Sequence, residues 1–195
     1  MKQVKTGLMN PNKNASFVAI YARDFQPFLS ADVPDSVKVR KCSVILMLNR
    51  WDGSIGFVGG NVDGNETLID GAIRESNEEI NLKLTYSMLE PIVSHDFFIN
   101  NEKTRTSHLF ASEVSISRFL EIEADVRKGR DFGSEIMGSV MVLVDDFGNG
   151  KGFPTFLNSP MAPSVKEELI ELISQKSLAR NVSLKDMLLK SKTCN

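Results

Sequence analysis

Three glutamates, Glu75, Glu78 and Glu79, carry the first chemical signal in this sequence. On a helix with 3.6 residues per turn, positions i, i+3 and i+4 share one face. Carboxylates packed that closely repel one another unless positive charge sits among them. Hard divalent cations such as Mg²⁺ or Mn²⁺ prefer oxygen ligands and are the natural filling. The competing reading is a solvated acidic helix face with no ligand at all. The wider spacing favours chemistry, because Gly60, Glu66, Arg74-Glu75, Glu78-Glu79 and Leu82 recur at fixed intervals. Meeting the polar and glycine positions of that pattern by chance is on the order of 10⁻⁵ per chain.

The pattern requires a helix beginning near Glu66, with Asn65 able to cap it and Glu66 suited to its positive end. Ile69, Ala72, Ile73, Ser76 and Ile80 form a mostly apolar or small stripe that would dock on a sheet. Asn81 would end the helix in the left-handed conformation, which Asn tolerates next best after Gly. Ahead of this helix, Ala15–Ala22 and Ser43–Asn49 read as strands, the second as a buried apolar run. Trp51 to Ser54 form a turn, and Ile55–Val58 returns as a hairpin partner. After the helix, Ile92–Phe98 and Thr106–Val114 read as paired strands around a polar tip, Ile99–Arg105. Ser115–Val126 is a helix with Phe119, Leu120 and Ile122 inward. Ser139–Val144 is a further strand. Ser164–Lys176 is a helix burying Val165, Leu169, Leu172 and Ile173, and Ser183–Lys190 is a shorter terminal helix.

The 195 residues fit one domain, 1–195, with 1–14 and 177–195 peripheral. A hydrophobic content of 42% and a charged content of 25% are those of an ordinary soluble globule. A net charge of −2 argues against a strongly basic nucleic-acid binder, though a site gripping one RNA end is compatible with it. No apolar run reaches membrane-spanning length and the first residues lack a signal-peptide core, so an intracellular, soluble protein is expected, in cytoplasm or nucleus. Cys42 and Cys194 lie far apart and fit a reducing compartment without a structural disulfide. Strands surrounding a few helices indicate an α/β sandwich.

Gly60-x5-Glu66-x7-Arg74-Glu75-x-x-Glu78-Glu79-x-x-Leu82 resembles the Nudix box, with Ser76 and Asn81 as its two departures. Beyond the box, other stretches resemble one branch of that superfamily, the small-nucleolar-RNA decapping and inosine diphosphatase enzymes. These are Val44 to Met47, Arg50 to Gly53, Gly56-Phe57 with Gly59-Gly60, Val62-Asp63, Ser94-His95, Asp131 to Glu135, and Pro154 to Leu157. The resemblance implies a Nudix α/β/α sandwich with a mixed sheet and a Mg²⁺- or Mn²⁺-dependent hydrolase of diphosphate linkages. Its substrates would be nucleoside diphosphates of the IDP or GDP type, or the 5′ caps of RNA, and it allows a homodimer.

Carried over residue by residue, the resemblance implies that the Gly59 carbonyl, Glu75 and Glu79 bind metal, with Glu78 as a further ligand or beside them. It puts His95 near the metal and lets Arg50 and Phe57 hold the nucleotide. Where the branch has a histidine near the purine this chain has Phe17, and where it has a base-reading glutamine this chain has Glu168. A carboxylate at Glu168 can accept from both N1–H and the N2 amine of guanine, so guanine is expected to be tolerated or preferred. Either Glu79 or Glu135 would serve as general base. Arg74 would orient the glutamates, Glu66 would brace the loop, and Gly60 with Gly59 would let backbone approach the metal.

On composition alone Trp51 and Phe57 read as core aromatics, and only the resemblance lifts Phe57. His108 reads as structural. The basic runs Lys38–Lys41 and Arg127–Arg130 matter only if they flank the pocket. Two alternatives stay open: a Nudix pyrophosphatase acting on ADP-ribose, NAD-type caps or dinucleoside polyphosphates, and a catalytically silent Nudix module that binds nucleotide or RNA.

Overall fold

Strand β3 (Cys42–Arg50) is buried from Cys42 through Leu48, as its unbroken apolar run requires, because both of its faces are covered. The computed structural model describes residues 1–4, 13–148, 150–180, 182 and 184–186. On one side of β3 runs β2 (Asn14–Phe25), antiparallel with Ile20 opposite Leu46; on the other runs β8 (Ile136–Val144), with Ile45 opposite Val142. The sheet continues outward from β2 through β7 (Glu102–Glu113), β6 (Glu90–Ile99) and β1 (Lys2–Val4). Short strands β4 (Ile55–Gly56) and β5 (Val58–Asn61) pair with the ends of β3 and β2. The β2–β7 pair is parallel and the others are antiparallel, which makes the sheet mixed.

Side chains alternate across the sheet, so each strand feeds two cores. On one face Val18, Ile20, Val44 and Leu46 pack against α2 (Leu68–Ile80) and α3 (Ile116–Asp125) through Leu68, Ala72, Ile80, Phe119 and Ile122. On the other, Ala19, Tyr21, Ile45 and Met47 pack against α4 (Phe153–Phe156) and α5 (Val165–Gln175) through Phe153, Leu169, Leu172 and Ile173. A one-turn helix, α1 (Asp35–Lys38), lies between β2 and β3. Each fully buried aliphatic side chain contributes about 1.5–3 kcal/mol of transfer free energy, so two such layers suffice to hold the α/β/α sandwich.

Several expected boundaries shift. Helix α2 starts at Leu68, because Thr67 caps it: the Thr67 hydroxyl accepts from Asp70 N–H at 3.1 Å and the Asp70 carboxylate reaches back to Thr67 N–H. Asn65 and Glu66 therefore lie outside the helix. Asn81 ends it at φ +54°, its N–H bonded to the Asn77 carbonyl. The polar tip expected over Ile99–Arg105 is a two-residue turn. Asn100 and Asn101 both take positive φ, so β6 runs to Ile99 and β7 starts at Glu102.

The chain ends are less peripheral than expected. Lys2–Val4 adds a strand to β6, and Leu178, Ala179 and Leu184 are buried in the α5 core. Ser183 and residues 187–190 of the expected terminal helix lie outside the described residues, as does Cys194. Leu120 is 42% exposed rather than inward, and Trp51 is 66% exposed rather than core, because it sits on the turn where β3 leaves the sheet. Cys42 is a buried thiol, pushed up to about 12 chiefly by burial. Among the described residues no helix is long and apolar enough to cross a membrane.

Candidate active site

Gly59 ties the loop that follows β4 to helix α2. Its N–H donates to Glu79 Oε2 at 2.7 Å. Its φ of +134° and its approach to β2 exclude any side chain, because an added Cβ would sit 2.2 Å from the Ser16 carbonyl oxygen. Gly60 is needed for a different reason: a Cβ there would meet the Glu75 carboxylate at 2.8 Å. Two glycines thus let the loop lie directly against the acidic face of α2.

Arg74 holds that face in order. Its guanidinium donates to Glu66 at 2.8 Å, to Glu75 at 2.9 Å, to Glu78 at 3.0 Å and to the Asn61 carbonyl at 2.8 Å. These contacts hold the Glu66 carboxyl below its usual range, and Glu66 also accepts from Asp63 N–H, which ties down the loop. Glu78 takes a second guanidinium, that of Arg130, at 2.9 Å. The loop carrying Arg130 packs by backbone on the end of α2. A Cβ at Gly129 would overlap the Glu79 carbonyl, and Asp131 N–H donates to the Glu78 carbonyl. Glu135, at the far end of that loop, lines the same cleft.

Electrostatically the acids are undercompensated. Glu79 is 3% exposed, and burial pushes its carboxyl up to about 8; the Gly59 N–H and Arg50 pull it down, while Glu75 and Glu135 push it further up. Glu75 is raised mainly by burial, against the pull of Arg74. Buried oxygen donors that resist ionisation next to one another fit a hard divalent cation. Among the described residues no three acidic, imidazole or thiol side chains converge on one point. The carboxylates are instead held by the Gly59 N–H and the two arginines.

The cleft, of about 430 Å³, is within the range of small-molecule sites. It brings together Phe17, Arg50, Phe57, Gly59, Gly60, Arg74, Glu75, Glu78, Glu135 and Glu168. Glu79 lies beneath it through the Gly59 bond, and Glu66 braces Arg74 from outside. Glu168, on α5, is 1% exposed. Ser107 Oγ–H donates to its Oε1 at 2.6 Å, and Ser164 Oγ lies 2.9 Å from the same oxygen. Ser164 takes φ +72° at the helix start, which turns its hydroxyl to Glu168 rather than to the helix N–H groups.

His95 goes elsewhere than expected. Opposite Ser107, it points to the α5 face, away from α2, and its Nδ1 lies 3.7 Å from Glu168 Oε1 with no hydrogen-bond partner. It belongs to the Glu168 end, not among the α2 carboxylates. His108 points to the α2 face. Its Nδ1 is 2.8 Å from Ser94 Oγ and its Nε2 3.1 Å from Asn14 Oδ1, and burial holds its pKa down at about 4.

Arg130 and Arg105, which also line the cleft, escaped the residue-by-residue reading. Arg130 was visible only as part of a basic run, and Arg105 only as part of the hairpin tip. The other basic run serves structure, with Arg40 paired to Asp145 beside Phe147.

A family model described as Nudt16-like, U8 snoRNA-decapping enzyme-like, matches residues 14–179. The chain belongs to this family of Nudix hydrolases. It is similar to the U8 snoRNA-decapping enzyme of Homalodisca vitripennis, at 38% identity over 122 residues. That match covers 60% of this chain and 64% of the enzyme, so it spans less than two thirds of that relative. The U8 snoRNA-decapping enzyme of Xenopus laevis is 29% identical over 160 residues, covering 79% of this chain and 73% of that one. The Tudor-interacting repair regulator protein of Mus musculus is 30% identical over 129 residues, covering 65% and 59%. Among solved structures, a mutT/nudix family protein from Listeria innocua superposes with TM-score 0.54 at 19% identity, covering 87% of this chain and 99% of that one, which shows the Nudix fold.

Proposed function

We propose that this Nudt16-like protein hydrolyses a diphosphate linkage in a nucleoside diphosphate of the IDP or GDP type, or in the 5′ cap of an RNA, with Mg²⁺ or Mn²⁺ as cofactor. The observation that carries this reading is one cleft lined by Glu75, Glu78 and Glu135, and also by Phe17, Phe57 and the buried acceptor Glu168. Phosphate chemistry and base recognition thus share one space.

In this reading the base lies against Phe17, with Phe57, 2% exposed in the α5-face core, forming the floor beneath it. Glu168, with Oε1 already occupied by serine hydroxyls, offers Oε2 to an N–H edge such as that of hypoxanthine or guanine. Arg50, whose buried Nε has no partner in the protein, donates to a phosphate oxygen. Glu75, Glu79 and the Gly59 carbonyl would hold the cation, with Glu78 beside them. When bound, the cation neutralises phosphate charge and lowers the pKa of the attacking water. Glu135 is the base that takes that water's proton, because its carboxylate is exposed in the cleft whereas Glu79 is buried and turned to Gly59. Arg74 keeps Glu75 and Glu78 from swinging away.

The test is to incubate the purified chain and its Glu79→Gln variant with GDP, IDP and a guanine-capped RNA, with Mn²⁺ or Mg²⁺ present. Release of a nucleoside monophosphate, or of an RNA with a 5′ monophosphate, that is lost in the variant is the expected result. No turnover of any of the three by the unmodified chain would overturn it and leave the reading on ADP-ribose, NAD-type caps or dinucleoside polyphosphates, and, if those too are untouched, the binding-module reading.

A further inference from the structure

Trp51 is the largest apolar side chain left in water on the rim of the cleft, 66% exposed. Isolated exposed apolar residues are ordinary, so exposure alone assigns nothing. Its placement does. Both neighbours, Arg50 and Asp52, line the cleft, and the Trp51 N–H donates to the Glu135 carbonyl at 2.9 Å. This main-chain bond fixes the turn that carries the exposed ring at the end of the cleft where Glu135 stands. The loop that ends at Glu135 also brings Arg130, whose side chain is 68% exposed and lines the cleft. Of the acids here, Asp52 accepts from Ser54 N–H and Oγ–H, and Asp131 and Glu78 both pair with Arg130.

The direction in which a substrate would lie follows from the two ends. If a base fills the space at Phe17, Phe57 and Glu168 and its phosphates reach Glu75 and Glu135, the group beyond the linkage must leave past Glu135. A nucleoside diphosphate has nothing to place there. A capped RNA has its first transcribed nucleotide and then a polyanionic chain. An aromatic face followed by a guanidinium group is what a single strand needs, one to stack a base and the other to meet its phosphates.

Resting on the reading of the cleft as a diphosphate hydrolase, we propose that Trp51 is a stacking platform for the first nucleotide of an RNA chain emerging from the site, with Arg130 contacting its backbone. The site is then built for a nucleotide carrying an RNA tail, not for the mononucleotide alone.

Trp51 is the sole tryptophan of the chain, so its fluorescence reports on this residue directly. The intact protein, kept free of divalent cations so that nothing turns over, is titrated with a guanine-capped RNA of about ten nucleotides and separately with GDP, a length that spans one typical single-strand site. Strong quenching by the capped RNA and little by GDP is expected. With cation restored, Trp51→Ala should lower kcat/KM for capped RNA relative to that for GDP by roughly tenfold, through KM, and Trp51→Phe should recover most of it. Flat fluorescence with RNA would overturn the proposal and make the ring a contact for a protein. Equal quenching by GDP, or equal losses on both substrates, would also overturn it, by placing Trp51 with the mononucleotide or with the fold. If neither substrate is hydrolysed by the unmodified chain, the hydrolase reading fails, while the titration still decides whether RNA stacks on Trp51.

Discussion

The two faces of the sheet each bury one glutamate and one histidine, and they satisfy them in opposite ways. On the α2 face His108 is complete, with a partner on each ring nitrogen, and Glu79 is left with a single N–H and raised by its acidic neighbours. On the α5 face Glu168 is complete at Oε1, and His95 is left with an unpartnered Nδ1. Buried polar groups in folded proteins are nearly always paired, so the deficits show where a ligand belongs. On the α2 face Arg74 and Arg130 serve Glu66, Glu75 and Glu78, while the buried Glu79 accepts only from Gly59 N–H, which suits a cation. The α5 face lacks only hydrogen bonds, which suits a neutral base. On the proposed reading, the difference puts charge and recognition on separate layers that meet at one cleft.

The strongest way to break this contrast is at Glu79. Glu79→Gln keeps the acceptor for Gly59 N–H but removes the charge, and steady-state assays should show a loss of roughly 10²–10³ in kcat, the usual effect of deleting one charge-stabilising group. A fall of less than tenfold would place the chemistry elsewhere. His108 probes the completed side of the same face. Its pKa of about 4 in the fold lies below the ordinary 6.5, so the unfolded chain binds more protons between those values. Stability is therefore intact above pH 6.5 and falls by about 3 kcal/mol as the pH drops to 4, as urea titrations at several pH values would show. His108→Gln should flatten that slope.

A smaller effect separates the two deficits. Mn²⁺ at a hundredfold excess over its Kd should stabilise the protein by about 2.7 kcal/mol in a thermal melt, and this should vanish in Glu79→Gln but persist in Glu168→Gln. Persistence in both would move the cation away from α2. The smallest is selectivity at the α5 face: Glu168→Gln should shift the GDP-to-IDP ratio of kcat/KM toward IDP by about tenfold, the worth of one buried hydrogen bond to a charged group. An unchanged ratio would remove Glu168 from base reading.

Much of the site was legible because its acids lie within a turn or two of one another. Arg74 and the three glutamates sit on one helix, and helical spacing alone puts them together. Arg130 meets Glu78 from 52 residues away, through a backbone seam that no local pattern encodes. Glu168 and Phe17 were reachable only through resemblance, since a lone glutamate in an amphipathic helix and a phenylalanine in a strand look like dozens of others. His95, placed near the metal by resemblance alone, lies 3.7 Å from Glu168 in the fold, and no local pattern tells which face of a half-buried strand a histidine takes. In the fold, the buried strand β3 read cleanly from its apolar run. The hairpin tip did not, because polar Asn100 and Asn101 look like a loop until their left-handed backbone is seen to close a tight turn. Trp51 was misplaced for a related reason: side-chain size predicts burial, but a turn at a strand end does not provide it.

The seam between Gly129 and the last turn of α2 has a consequence for how such a protein changes over time. It locks the loop bearing Glu135 to the helix bearing Glu75 and Glu79, backbone on backbone, and the Trp51 turn is tied to the same loop, while the Asn100–Asn101 tip hangs outside that joint. Mutations in exposed side chains of the turn and of the tip can therefore alter the rim without shifting the acids of the helix against those of the loop.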